Sequence, residues 1–254
     1  MSRPATRLWS AATALLVACL LTCGVAVATA DARSTGADLR DSLTRVMKAT
    51  DGPPGIAGLI VRDGRRQFFW RGNGNVQTAT APKLRRPFRI ASVSKAYNGA
   101  VALSLVRKGK LKLSDTIGKL LPNQLPKARR VTLTQLLQHT GGVADYIKDE
   151  AFREKLAADP ARYMSPRRLL SFVSDKPLNF RPGSGYSYSD TDNIVVGLMA
   201  EKVTGASYEK LLRREVGRRT RFGPTRLPRN LFKPTPFLHG YEIEQGEPAQ
   251  DVSN

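Results

Sequence analysis

A serine and a lysine with two residues between them, Ser92 and Lys95, are the side chains of this sequence best suited to do chemistry. Residues three apart lie on the same face of a helix, so the lysine amine can reach the serine hydroxyl. An amine whose pKa is lowered by burial or by a nearby cation can take the hydroxyl proton and leave a nucleophilic oxygen. The spacing therefore predicts nucleophilic catalysis at the buried start of a helix.

A second pair with the same spacing, Ser207 and Lys210, shows that this motif alone is weak. We interpret Ser207 as the N-cap of a polar amphipathic helix in which nothing desolvates Lys210. A purely structural interpretation is also open for the first pair, in which Ser92 is only a capping serine and Lys95 only a surface lysine. The surroundings of Ser92 favour the catalytic interpretation.

Regular elements are predicted on both sides of Ser92. Upstream, the strand-like runs 56–61 and 67–70 flank an Asp-Gly pair, which is the pattern of a β-hairpin. Downstream, the sequence is nearly apolar up to Gly109, which predicts a central, buried helix that ends at this glycine. A lysine in the first turn of such a helix would be partly desolvated, as a base requires.

Further helices are predicted with identifiable ends. Residues 39–47 carry apolar side chains at helical spacing before a Gly-Pro-Pro break. Residues 131–220 are mostly helical in pattern. There, Thr132 or Thr134 can cap one helix, and Ser165 followed by proline can open another.

Four blocks follow one another along the sequence: Phe88–Lys95, Gly109–Asp115, Leu136–Gly142 and Pro182–Asp190. Together and in this order they resemble the β-lactamase-related serine hydrolase family. This family contains class C β-lactamases, secreted D-alanyl-D-alanine carboxypeptidases and related esterases, and the resemblance covers about residue 38 to residue 245. It implies an α+β fold of the β-lactamase/DD-peptidase type, in which a helical subdomain packs on an antiparallel sheet.

The resemblance also implies roles for individual residues. Ser92 would be the nucleophile, Lys95 its base and Tyr188 a proton relay, whereas Tyr188 as a core tyrosine is the alternative. Asp190 stands in the substrate-binding position where the family has asparagine. An ionised carboxylate only accepts hydrogen bonds, so Asp190 could hold Lys95 as an ion pair but could not donate to a substrate carbonyl. Alternatively, Asp190 is only the N-cap of the next helix.

The family's third motif, a Lys/His-Thr-Gly-type triplet on a late strand, has no counterpart in this sequence. The segment His139–Gly141 matches its letters, but it precedes Tyr188 and follows an apolar pair typical of a helix. We therefore interpret it as the end of that helix, with Gly141 or Gly142 as the cap. The segment His239–Tyr241 does not match. We expect the C-terminal strands of the sheet to be missing here, which would leave the domain incomplete and the chain weak or inactive alone.

Residues 1–30 have the pattern of a signal peptide. They contain two arginines, then a long apolar stretch, and end in a small-residue Ala-Thr-Ala site. We expect a secreted or cell-wall-associated protein whose hydrolase domain is residues 31–254. A retained membrane anchor and a lipoprotein cleavage site at Cys19 are the alternatives. Both cysteines lie in this segment, so a mature chain would have no disulfide.

The charge balance favours anionic partners. The formal net charge is +20, and it is +18 for residues 31–254, which hold 39 basic and 21 acidic residues. The arginines are scattered in pairs without the interleaved aromatic residues of a single-strand nucleic-acid platform. With an export signal, this argues against a nucleic-acid partner and favours attraction to anionic wall polymers or lipid headgroups. The pairs could equally be solvated helix faces.

Two hypotheses about function follow from these observations. The first is a secreted serine hydrolase that forms an acyl-enzyme on peptidoglycan peptides or related amides, lactams or esters, with no metal or cofactor. The second is a catalytically dead, cationic wall-associated protein that retains only the fold. The intact Ser92/Lys95 pair favours the enzyme, whereas Asp190 and the absent triplet favour the second hypothesis.

Overall fold

The computed structural model of the protein describes residues 38–83, 86–160, 162–217, 225–227, 237–244 and 246–253. The predicted signal peptide, residues 1–30, lies outside the described residues. Contacts divide the chain into two compact units. One unit contains the described residues up to Phe88 and those from 237 to 253, and the other contains those between Arg89 and Pro234.

The first unit is built around a helix and a β-hairpin. Helix α1 is described over residues 38–48, as its apolar spacing predicts. Strands β1, Gly55–Arg62, and β2, Arg65–Gly72, pair antiparallel along their whole length. The two turn residues between them, Asp and Gly at 63 and 64, both have left-handed φ values, 50° and 74°, as a type I′ turn requires. The predicted hairpin is confirmed.

A second, smaller sheet in the same unit was not predicted. Strands β3, Tyr241–Glu242, and β4, Gln250–Asp251, pair antiparallel. The ring of His239 precedes them and is fixed by Asp251 Oδ2 at 2.6 Å and Asn75 Nδ2 at 2.8 Å. Strands of two residues are too short to carry the alternating pattern that identifies a strand in sequence.

The second unit is helical and contains both predicted Ser-x-x-Lys pairs. Three-residue 3₁₀ turns occur at Ala91–Val93, Pro126–Ala128 and Tyr146–Lys148, and a π-helical turn occupies Arg213–Gly217. Its α-helices are α2 Ser94–Arg107, α3 Ile117–Leu120, α4 Leu133–Leu137, α5 Glu150–Ala158, α6 Pro166–Ser171, α7 Asp190–Thr204 and α8 Tyr208–Leu212.

Most helix ends lie where their sequence signals predict. Thr132 forms a capping box with Gln135 at the start of α4. Ser165 caps α6, and a proline follows it at the first helical position. Helix α2 ends at Arg107, and Gly109 follows with a left-handed φ of 68°. These predictions are confirmed.

Helices α2 and α7 form the centre of the helical unit, and the predicted central helix is therefore confirmed. A buried asparagine, Asn98, joins them. Its Nδ2 donates to both the backbone oxygen and the side-chain oxygen of Asn193, each at 3.0 Å, and its Oδ1 accepts from Tyr208 Oη at 2.8 Å. The fully buried apolar side chains around this junction include Val101, Leu105, Leu133, Leu136, Leu170, Val195, Val196, Met199 and Leu211.

A buried carboxylate closes the other end of α2. The Glu215 side chain is fully buried and accepts hydrogen bonds from Ser104 Oγ at 2.7 Å, Lys108 Nζ at 2.5 Å and Arg214 Nε at 2.7 Å. Burial alone would raise the pKa of Glu215, but these three donors outweigh it and lower the pKa to about 2. Glu215 is therefore ionised and paired in the folded protein at neutral pH.

Replacing Glu215 with glutamine should lower the free energy of unfolding by about 2 kcal/mol at pH 7, because charge-assisted hydrogen bonds are lost. The folded pKa of Glu215 lies below its ordinary value of 4.5. Its contribution is therefore complete above pH 4.5 and is lost as the pH falls towards 2. Urea unfolding of the wild type and Glu215→Gln should differ at pH 7 and converge near pH 2.

Glu154→Gln is the matched control, since Glu154 is exposed on α5 and its replacement should change stability by less than about 0.5 kcal/mol. An equal loss in both variants, or a Glu215→Gln effect that does not change with pH, would contradict this role of Glu215.

Candidate active site

The serine and lysine of the first pair lie at the junction between a 3₁₀ turn and α2. Ser92 is in the turn Ala91–Val93, and Lys95 is in the first turn of α2. Lys95 Nζ donates to Ser92 Oγ at 3.1 Å. Ala91, just before the serine, has a left-handed φ of 44°, and such strained backbone concentrates at functional sites.

The expectation that Ser92 would be buried is wrong. Ser92 is exposed in the helical unit, whereas Lys95 is half-buried. The reason is that the packed part of α2 begins later, since Asn98 is the first buried residue of the helix. The serine hydroxyl is therefore accessible to a small molecule, and only its partner is shielded from solvent.

Tyr188 completes a triangle around the serine oxygen. Tyr188 Oη donates to Ser92 Oγ at 2.8 Å, and Lys95 Nζ lies 4.5 Å from the centre of the tyrosine ring. A half-exposed tyrosine in this position is not a core residue, so the alternative interpretation of Tyr188 does not apply. Two titratable groups converge on one serine oxygen, and either can take up the hydroxyl proton once it has itself lost a proton.

Asp190 lies beside this triangle and forms an ion pair with Lys95. It is the first residue of α7, and Ser189 occupies the N-cap position, so the interpretation of Asp190 as a mere N-cap is wrong. Its backbone N–H donates to Asp145 Oδ1 at 3.2 Å. Of the two alternatives for Asp190 that the sequence left open, the structure shows the ion pair with Lys95.

The net effect of these neighbours is to keep Lys95 charged. Burial is the largest single influence and lowers the pKa of Lys95, but hydrogen bonds and charge interactions with Asp190 and Tyr188 outweigh it and raise the pKa above its ordinary value. Desolvation does not produce a free amine here. At neutral pH the lysine is an ammonium group that donates to the serine.

A histidine that sequence reasoning assigned to a helix end also belongs to the site. Helix α4 ends at Leu137, and His139 itself takes the left-handed conformation, with φ 56°, at a cost of about 1–2 kcal/mol for a residue with a side chain. Neither Gly141 nor Gly142 is therefore the residue that ends the helix. The His139 ring centre lies 4.8 Å from that of Tyr188. Two facts in the sequence could have identified His139 as a site residue: it lies in one of the four family blocks, and the chain has only two histidines.

The second pair does not form a comparable site. Ser207 is the N-cap residue of α8, as predicted, and Lys210 is exposed. The segment His239–Tyr241 belongs to the other unit. Within the described ranges, no group of three or more His, Cys, Asp or Glu side chains could hold a metal ion, and no helix there is long and apolar enough to cross a membrane.

Comparison with known proteins assigns the chain to a family. The profile of the family described as Beta-lactamase matches residues 40–250. The chain belongs to the Beta-lactamase family. The resemblance drawn from the four sequence blocks and the α+β fold class are thereby confirmed.

Two sequence relatives illustrate this membership of the Beta-lactamase family. Protein flp of Staphylococcus aureus (strain COL) is 27% identical over 202 residues, which cover 77% of this chain and 39% of that protein. A putative D-alanyl-D-alanine carboxypeptidase of Escherichia coli O157:H7 is 28% identical over 210 residues, which cover 76% of this chain and 46% of that protein. The chain thus spans less than half the length of these relatives.

Solved structures share the fold. A D-stereospecific amidohydrolase from Streptomyces sp. superposes with a TM-score of 0.71 at 25% identity, covering 84% of this chain and 64% of that one. The octameric penicillin-binding protein homologue from Pyrococcus abyssi gives a TM-score of 0.71 at 23% identity, covering 85% of this chain and 50% of that one. At 23% identity, the similarity to the Pyrococcus abyssi protein shows a shared fold and nothing more.

Replacing Asp190 with asparagine should lower the pKa of Lys95, because burial is then no longer outweighed by a carboxylate. A pH titration of the Lys95 ε-carbon by ¹³C NMR measures this pKa, and Lys95→Gln identifies the resonance. Asp149→Asn is the matched control. It removes a carboxylate that pairs with Lys176 at 2.5 Å and should leave the Lys95 pKa unchanged. A Lys95 pKa that stays constant or rises in Asp190→Asn would contradict the account of this ion pair.

Proposed function

We propose that this member of the Beta-lactamase family is a serine hydrolase that forms an acyl-enzyme at Ser92. The observation that carries the proposal is the convergence of Lys95 Nζ at 3.1 Å and Tyr188 Oη at 2.8 Å on Ser92 Oγ. Of the two Ser-x-x-Lys pairs, only this one is surrounded by further groups that can move a proton.

In the proposed acylation step, neutral Lys95 takes the hydroxyl proton of Ser92 while Oγ bonds to a carbonyl carbon of the substrate. The carbon–nitrogen bond then breaks, and Tyr188 delivers a proton to the leaving nitrogen. Water then adds to the ester carbon and gives one proton to the Tyr188 phenolate. The bond between that carbon and Oγ breaks, Lys95 returns its proton to Oγ, and the acid is released. In this mechanism the backbone N–H of Ser92 would stabilise the oxyanion, together with the donor that the family has on the strand bearing its third motif.

The same geometry predicts a slow reaction. Each unit by which the lysine pKa is raised reduces the fraction of free amine about tenfold at neutral pH, and Asp190 raises it. We therefore infer that acylation at Ser92 is slow at neutral pH.

The substrate class we propose is a peptidoglycan peptide or a related amide, lactam or ester. Two relatives bear the names D-stereospecific amidohydrolase and putative D-alanyl-D-alanine carboxypeptidase, which supports an amide next to a D-configured centre.

A secreted or wall-associated location is part of the proposal. It rests on the signal-peptide pattern of residues 1–30 and on the net charge of +20, which would attract anionic wall polymers.

One observation favours the alternative function, a cationic wall-associated protein that has kept only the fold. Asp190 replaces an amide of the family with a group that cannot donate to a substrate and that holds Lys95 as an ammonium group. Covalent labelling separates the two functions, since only the enzyme forms an adduct.

Prolonged incubation with a fluorescent penicillin should add one acyl group to the chain, visible as an increase in intact mass. Ser92→Ala should abolish the adduct, because the nucleophile is removed. Ser207→Ala is the matched control and should leave the adduct unchanged, since the second pair has an exposed lysine. No adduct in the wild type would favour the alternative function. An adduct in Ser92→Ala would overturn the site assignment.

A further inference from the structure

Behind Tyr188 lies a buried acidic group that the proposed mechanism does not use. Asp192 is on the first turn of α7 and its side chain is 1% exposed. Its Oδ2 lies 3.0 Å from His139 Nδ1, and its Oδ1 has no hydrogen-bond partner among the described residues. An ionised carboxylate in such a place would be expected to have a cation or several donors around it.

We propose that Asp192 and His139 form a neutral hydrogen-bonded pair, with the proton on the Asp192 carboxyl, that positions Tyr188 on Ser92. Both residues would be positioning residues, since neither touches the serine. The positioning part of this inference rests on the proposed function, whereas the protonation of the pair does not.

The location of the proton follows from a third group. The backbone N–H of Ser189 points at His139 Nδ1 at a distance of 3.4 Å. A ring nitrogen that faces a donor presents its lone pair and carries no hydrogen of its own. The contact between Nδ1 and Asp192 Oδ2 then needs a hydrogen from Asp192, which is the nearer of the two donors that share the single Nδ1 lone pair, at 3.0 Å against 3.4 Å. The histidine proton would be on Nε2.

The charges around the pair favour the same state. The charged groups that act on it are Lys95 from α2, Asp190 from α7 and Asp145 from the loop before the 3₁₀ turn Tyr146–Lys148. Burial first, and then the charge of Asp145, raise the pKa of Asp192 to about 8. Burial and the charge of Lys95 lower the pKa of His139 despite the two carboxylates. Both members are therefore neutral at pH 7.

The Asp192–His139 pair contacts Tyr188 through the histidine ring. The His139 ring packs against the Tyr188 ring with centres 4.8 Å apart, and its other neighbour is the Tyr186 ring at 6.2 Å. The His139 backbone oxygen also accepts from Ser187 N at 3.0 Å. A histidine in the left-handed conformation is thus held by Asp192 on one side and supports the tyrosine segment on the other.

A neutral pair has a consequence that a purely structural contact lacks. Above the pKa of Asp192, near pH 8, the carboxyl loses its proton, and a carboxylate can only accept. The histidine must then donate from Nδ1, which gives up the long contact from the Ser189 N–H, so its proton moves from Nε2 to Nδ1. The tautomer of His139 should change with a midpoint at about pH 8, while the ring stays neutral.

The test is ¹⁵N NMR of the ring nitrogens of the full chain, in which His239→Gln identifies the only other histidine. At pH 7 we expect His139 to be protonated on Nε2 and unprotonated on Nδ1, with a change of tautomer near pH 8. Asp192→Asn cannot titrate and should abolish that transition. A charged His139, or an Nδ1–H tautomer at pH 7, would overturn the neutral pair whether or not Ser92 reacts.

The positioning role is tested by the rate of labelling with a fluorescent penicillin at pH 7. Asp192→Leu should slow labelling about tenfold or more, since small displacements of a reacting group are costly. Asp192→Asn restores a donor and should label faster than Asp192→Leu. Equal rates in the wild type and Asp192→Leu would overturn the positioning role alone. An absence of labelling in the wild type would count against the proposed function, and the NMR result would still decide the state of the pair.

Discussion

The arrangement of the candidate site depends on one buried interaction, the double hydrogen bond from Asn98 to Asn193. It fixes the rotation and the axial position of α2 relative to α7 at a buried polar contact surrounded by apolar side chains. Lys95 lies three residues before Asn98, and Asp190 lies three residues before Asn193. Since residues three apart share a helix face, fixing the two asparagines brings the lysine and the carboxylate together.

This constraint has a chemical cost. Local spacing at the start of α2 brings Lys95 to Ser92, but the junction with α7 also brings Asp190 to Lys95, and the carboxylate stabilises the charged lysine. Ser92, Lys95 and Tyr188 are therefore held in contact, but Lys95 keeps the proton that it would have to lose to act as a base. Asp192 adds a second carboxyl group near the site, and burial keeps that group protonated.

Elements with strong local signals could be predicted from the sequence. The hairpin follows from its Asp-Gly turn, the central helix from its apolar run, and the starts of α4 and α6 from Thr132 and Ser165. The pairing of Asp190 with Lys95 could also be predicted, because the family resemblance placed the two residues in one site.

The remaining features depend on contacts between distant parts of the chain. The exposure of Ser92 is set by where packing on α2 begins, and no local pattern reports this. His139 was interpreted as a helix end because its neighbours have that pattern, whereas its side chain is positioned by Asp192 and Tyr188, about fifty residues away. Strands β3 and β4 are too short to have a periodicity. In each case a tertiary contact decided the structure and left no trace in the local sequence.

The central claim, that the Asn98 junction sets the Lys95–Asp190 pair, is tested most directly by a double-mutant cycle on the free energy of unfolding at pH 7. The cycle combines Asn98→Ala with Asp190→Asn, two residues that share no hydrogen bond. If the junction holds the ion pair in place, Asp190→Asn should cost less in the Asn98→Ala background, with a coupling of about 1 kcal/mol. Effects that add to within about 0.3 kcal/mol would show that the two sites are independent, and would contradict this account.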